Sequence, residues 1–171
     1  AGIMATLGRP EESVELLKRL HRRLSSDLKE NHPLRLYTTA ALANYQVESG
    51  RGDEARALLE PAMELMSRTW GVSHHETLMA QSTLAQALEL CGEAIAGIEL
   101  RQRVLEQARG VLDPAAPDLL TLIYSLGQAL YRAGEQEEGI EILEESLRLA
   151  STIYGEDHVD NLWLQLELGV K

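Results

Sequence analysis

The residues able to do chemistry are few and regularly placed. The 171-residue chain holds five histidines and one cysteine, Cys91. His74 and His75 are adjacent and tempt a metal reading. Zinc needs three or four converging ligands, and no cluster of Cys or His supplies them. His32, His74 and His158 stand 42 and then 84 residues apart, a regularity that points to capping or turn structure. Cys91 has no histidine at a spacing that would activate it, and a lone cysteine forms neither an internal disulfide nor a paired-cysteine metal site. No phosphate loop, GxSxG, HExxH or dinucleotide signature occurs. The chain therefore reads as a non-enzyme without metal or cofactor. One polar set remains: Asn44, Gln86 and Gln128, three amides 42 residues apart. An amide side chain both donates and accepts, so a row of them can pair with the backbone of an extended peptide whatever its sequence.

The same interval governs the elements that must position these side chains. Gly8, Gly50, Gly92 and Gly134 are spaced by 42, as are Leu36, Leu78, Leu120 and Leu162, and Leu42, Leu84, Leu126 and Leu168. Small residues follow the last set directly: Ala43, Ala85, Gly127 and Gly169. Ser13, Ala55, Gly97 and Gly139 form a second small column. Columns that share one register mark an internal repeat. Each unit reads as two helices. The stretch from Leu78 to Leu88 has helical apolar spacing without Gly or Pro, and Gly92 then supplies a helix exit. Second helices are predicted from about Glu93 to Ala108 and from Gln136 to Ile153. Pro33 and Pro117 fit a first helical position, and Ser73 with Glu76 has capping-box spacing. Small residues let the paired helices approach closely, with leucines filling the gap. Pro61 falls inside a second helix, where a kink is expected. No strand pattern appears, so the chain is predicted to be all-α.

Charge narrows the partners. The chain carries 27 acidic and 16 basic residues, a formal net charge of −11. Residues 1–35 hold 7 basic and 5 acidic groups (+2), residues 36–133 hold 7 and 12 (−5), and residues 134–171 hold 2 and 10 (−8). Nucleic acid and anionic lipid both demand excess Lys and Arg, so neither is expected as a partner. No apolar run approaches the ~20 residues of a membrane helix, and no signal or transit pattern is present. The single cysteine suits a reducing compartment, and a cytoplasmic location is expected. Glu135, Glu137, Glu138, Glu141, Glu144 and Glu145 predict a solvated acidic helix face, with docking of a basic partner as the alternative.

Two helices with a small residue in each and a Gly between them resemble the tetratricopeptide repeat. The unit with Ile123, Leu126-Gly127, Leu130, Gly139 and Leu143 fits best. Ala55 and Leu59 take the last two places in the first full unit, whereas in the second Gly97 is followed by Arg101. The 42-residue period is similar to kinesin-light-chain-type repeats, as is the connector Gly155-Glu156-Asp157-His158-Val159-Asp160-Asn161-Leu162, with variants from Asn31 to Leu36 and from Gly71 to Leu78. The resemblance implies an α-solenoid of antiparallel helix pairs with a right-handed superhelical sense. The register divides it into a partial repeat 1–31, repeats 32–73, 74–115 and 116–157, and a partial repeat 158–171. The chain so divided reads as a fragment cut from a longer array.

In that family the first helices line a concave groove. Carried over position by position, the groove would hold the amides Asn44, Gln86 and Gln128. Further groove positions are Tyr37, Met79, Thr121 and Trp163; Ala41, Thr83, Ser125 and Glu167; and Glu48, Leu90 and Arg132. Tyr37, Trp163, Tyr124 and Tyr131 are candidate aromatic anchors. The implied function is that of an interaction module, a scaffold or regulatory segment binding a protein or peptide in the groove. One alternative is head-to-tail self-assembly, with Leu162, Leu164 and Leu168 of one copy meeting Leu16, Leu20 and Leu24 of another. A second is single-stranded RNA binding.

Overall fold

A computed structural model describes residues 10–155. They form seven helices and no strand: α1 (Pro10–Asp27), α2 (Pro33–Glu48), α3 (Gly52–Trp70), α4 (His75–Leu90), α5 (Ala94–Arg109), α6 (Pro117–Ala133) and α7 (Gln136–Tyr154). The helices divide between two compact units. The first contains α1 to α4 and the second α5 to α7.

Turns at the repeated glycines end the first helix of each pair. Gly50, Gly92 and Gly134 have φ of 73°, 86° and 98°. A side chain at such a φ is strained, so glycine recurs where the chain doubles back. The ends of the second helices show the same rule more sharply. Gly71 (φ 103°, ψ 152°) and Gly155 (φ 87°, ψ 161°) occupy a region open essentially to glycine alone. The equivalent residue between them is Asp113, which lacks that freedom. There α5 ends early, at Arg109, and Asp113 builds a different turn, its Oδ1 accepting from the Ala115 N–H at 2.8 Å.

The helix starts explain the histidine column. His32 and His74 are N-caps in extended conformation, and the Nδ1 of each accepts the backbone N–H two residues on, from Leu34 and Glu76, both at 3.2 Å. Ala116, in the same column, caps α6 without a side-chain bond. His158 lies outside the described residues. The expected Ser73 cap is therefore corrected: the chain enters α4 one residue later, and the imidazole takes the role of the serine hydroxyl. Trp70, the last residue of α3, stacks on the same imidazole, with ring centroids 5.9 Å apart and 23° between planes. Pro33 and Pro117 take first-turn positions as predicted.

In the first unit α2, α3 and α4 share a core of Leu36, Val47, Leu59, Met66 and the alanines Ala43, Ala55, Ala62, Ala80 and Ala87. Each fully buried leucine contributes about 1.5–3 kcal/mol. The small columns set how closely helices nest. Ala43 and Ala55 are wholly buried. In the second unit α6 and α7 come closer still: a Cβ on Gly127 would lie 2.7 Å from Leu143 Cγ, and one on Gly139 2.7 Å from the Tyr131 backbone nitrogen. Arg101 is buried in the column that Leu59 and Leu143 occupy elsewhere. Helix α3 runs through Pro61 from Gly52 to Trp70. Proline removes the bond to the Ala57 carbonyl, but both residues are exposed, so water can serve that carbonyl.

The acidic helix α7 is partly used in packing. Both carboxylate oxygens of Glu145 accept from Arg109 Nη2, at 2.6 and 2.8 Å, tying α7 to α5. Glu137, Glu138 and Glu141 face solvent.

Candidate functional site

Helical spacing places Tyr37, Ala41, Asn44 and Glu48 on one stripe of α2, and Glu76, Met79, Ala80 and Thr83 on one stripe of α4. The two helices pack side by side within the first unit. Between them runs an open cleft of about 210 Å³, lined by Tyr37, Ala40, Ala41, Asn44, Glu76, Met79, Ala80 and Thr83. Its floor is small and apolar. Its walls are the Tyr37 ring, 52% exposed, and the Met79 thioether. The Thr83 hydroxyl donates to the Met79 carbonyl at 3.0 Å and so is engaged by its own helix.

Five of the residues expected in the groove thus meet in one cleft: Tyr37, Ala41, Asn44, Met79 and Thr83. Gln86, half-buried one turn further along α4, is not among the lining residues. Glu76, Ala40 and Ala80 line the cleft and were not expected. Glu76 lies three residues before Met79, so helical periodicity alone could have found it.

The second unit presents a different set. On α6, Gln128 Nε2 donates to the Tyr124 hydroxyl at 2.5 Å, while Arg132 donates to the Gln128 carbonyl at 3.1 Å and to Gln128 Oε1 at 3.2 Å. The Tyr124 ring packs with Leu120, Leu147, Ala150 and Ile153, so its body belongs to the core and only its hydroxyl reaches the polar chain. Ser125 donates to the Leu122 carbonyl at 2.9 Å, and Tyr131 and Thr121 are exposed. Trp163 and Glu167 lie outside the described residues.

The amides are tied to neighbours one turn away. Asn44 Nδ2 donates to Glu48 Oε1 at 2.8 Å, leaving its carbonyl oxygen as the group to offer a peptide N–H. Gln128 both donates to and accepts from its own helix. The two are therefore not equivalent rungs, a difference set by the residue four positions on: Glu48 in one case, Arg132 in the other.

Elsewhere the polar groups have structural roles. The Cys91 thiol donates to Asp53 Oδ1 at 3.2 Å, and burial, then the Asp53 carboxylate, push its pKa up, away from a reactive thiolate. Among the described residues no three His, Cys, Asp or Glu side chains converge on a metal position, and no helix is long and apolar enough to cross a membrane.

Two tetratricopeptide-repeat sequence patterns match the chain, at residues 119–160 and 36–61. Among solved structures, the nearly identical TPR-like repeats of a Podosopora anserina protein assigned as a kinesin light chain share 27% identity, with a TM-score of 0.76 over 96% of this chain and 78% of that one. A point-substituted form of those repeats gives a TM-score of 0.77 at the same identity and coverage. BtubC (BKLC) of P. vanneervenii matches in fold at 16% identity, with a TM-score of 0.67 over 99% of this chain and 65% of its own. No curated protein sequence matches significantly. The architecture is an all-α helical-repeat solenoid, and repeats of this family form a protein-interaction module. The 42-residue register, these two partial matches and the structural likeness together support a tetratricopeptide-repeat protein similar to kinesin-light-chain-type repeats.

Proposed function

We propose that the cleft between α2 and α4 binds a short segment of a partner protein, and that the chain acts as a scaffold or regulatory module through that contact. The observation that carries this reading is the meeting of an exposed tyrosine, a methionine and an amide over a floor of alanines. Tyrosine offers area and a polar tip at low entropic cost, and methionine adapts its shape to a side chain set against it. The Asn44 carbonyl oxygen holds the peptide backbone, and Tyr37 and Met79 grip its side chains.

Selection from a displayed peptide library tests this. Enriched peptides should lose about tenfold or more in affinity for the double variant Tyr37→Ala, Met79→Ala. Both side chains line an open cleft, so the melting temperature should stay within about 3 °C. Peptides that bind the variant as well as the parent would remove the cleft from the function.

Self-assembly is the second reading, favoured by Leu16 and Leu20 of α1, which are 49% and 43% exposed. Its other proposed surface, Leu162, Leu164 and Leu168, lies outside the described residues. A solution mass of one chain at every concentration would exclude it.

A further inference from the structure

The α2–α4 cleft has a charge sign, and we infer from it that the segment bound there is basic. The inference rests on the cleft being the binding site and adds what the partner must carry. No Lys or Arg is among the residues that line the cleft. Helix α4 contains none at all, and the one cation of α2, Arg35, lines a separate cleft with His21 and Glu30, where it donates to the Leu28 carbonyl. Two carboxylates bracket the cleft along the helices. Glu76 is in the first turn of α4 and lines it, and Glu48, one turn beyond the lining residue Asn44, ends α2 on the same stripe as Tyr37 and Ala41. Neither forms a salt bridge with another described residue. Glu48 accepts one hydrogen bond from Asn44, which leaves its second oxygen available and fixes where that oxygen sits.

The repeat register sets the distance between the two charges. Position 76 corresponds to position 34 one repeat earlier, so Glu76 and Glu48 are offset by about 14 residues along parallel helices. At about 1.5 Å per helical residue this is roughly 21 Å. An extended peptide covers about 3.3–3.6 Å per residue, so cations about six residues apart reach both carboxylates. Between them the shallow apolar floor takes small or aliphatic side chains, with Tyr37 and Met79 on either side. An acidic segment would bring like charge to both ends, and the net charge of −11 repels it before contact. The occupant is thus a protein segment with Lys or Arg at both ends of a short uncharged stretch.

Fluorescence polarisation with three labelled peptides tests this: two lysines about six residues apart around an alanine–leucine centre, and the same peptide with glutamates or glutamines in place of the lysines. The lysine peptide should bind about tenfold more tightly than the glutamate one at low salt, and the gap should shrink as screening rises. Glu48→Gln and Glu76→Gln should each weaken the lysine peptide about threefold, with little effect on the glutamine peptide. In Glu48→Gln the amide oxygen still accepts from Asn44, so the stripe is preserved. Equal binding of lysine and glutamate peptides, both abolished by Tyr37→Ala with Met79→Ala, would overturn the charge assignment and leave the cleft as the site. Lysine-peptide binding indifferent to both Glu variants would overturn it too, as attraction to the whole acidic surface. Binding of any peptide that ignores the Tyr37 and Met79 changes, or no binding by any of the three, would remove the cleft reading and this inference with it.

Discussion

His21 shows how one side chain carries the environment of three helices. It sits on α1 in a cleft with Arg35 and Thr39 of α2 and Pro61 and Leu65 of α3. Burial, and then the Arg35 guanidinium, hold its pKa below the ordinary 6.5. The folded chain keeps this imidazole neutral where the unfolded chain has begun to protonate it. The unfolded state therefore binds more protons as pH falls through about 6.5, and stability falls with it until the lower folded value is reached. We expect the melting temperature to drop between about pH 7.5 and 5.5 by more in the parent than in His21→Gln. Parallel curves for the two proteins would show that His21 adds nothing to the pH dependence. The sequence showed a histidine at 21 but not that it is enclosed, because enclosure comes from residues far along the chain, from Glu30 to Leu65. The same limit applied to the site. The row of amides was legible from the resemblance and the repeat register, yet whether each amide is open depends on its neighbour four residues on. Glu48 and Arg132 give Asn44 and Gln128 opposite roles.

At the scale of elements, the helices were largely readable and their first residues less so. The second helices expected from about Glu93 and Gln136 begin at Ala94 and Gln136. The repeated glycines end the first helices because only the backbone conformation at the turn matters there, and that is written in one residue. The start of α4 departs from the expectation because serine is the commoner cap, whereas here an imidazole nitrogen reaches the same N–H. His74→Ala should therefore cost about 1 kcal/mol, His74→Asn should recover most of it, and Ser73→Ala should cost almost nothing. Urea denaturation midpoints check the ordering, and a larger loss at Ser73 would restore the capping-box reading. The end of α5, expected near Ala108, falls at Arg109, three residues earlier in the register than the ends of α3 and α7. Asp113 stands there in place of Gly71 and Gly155.

For the whole molecule the repeat register was legible because it is a property of the chain: equal spacing survives without knowledge of any contact. The charge of −11 was equally plain, but its distribution in use was not. Glu145 is held by Arg109, Glu48 by Asn44, and Glu60 and Glu93 by Arg56, so the acidity is partly structural. These pairs are substantially exposed, and such pairs contribute little each. General self-repulsion of the excess carboxylates should outweigh them. The melting temperature is thus expected to rise by a few degrees from about 20 to 200 mM sodium chloride, as the screening length shortens. A fall over the same range would mean that the ion pairs prevail.

The ring pair at the end of α3 gives the protein an optical gauge. The chain has two indoles, Trp70 and Trp163. Replacing Trp163 by phenylalanine leaves Trp70 as the sole indole emitter, stacked on the imidazole that caps α4. Its emission then reads one joint of the chain. Loss of that joint ahead of the helical circular-dichroism signal would reveal a hinge that opens before the helices melt, and simultaneous loss would show a joint as durable as the helices it connects.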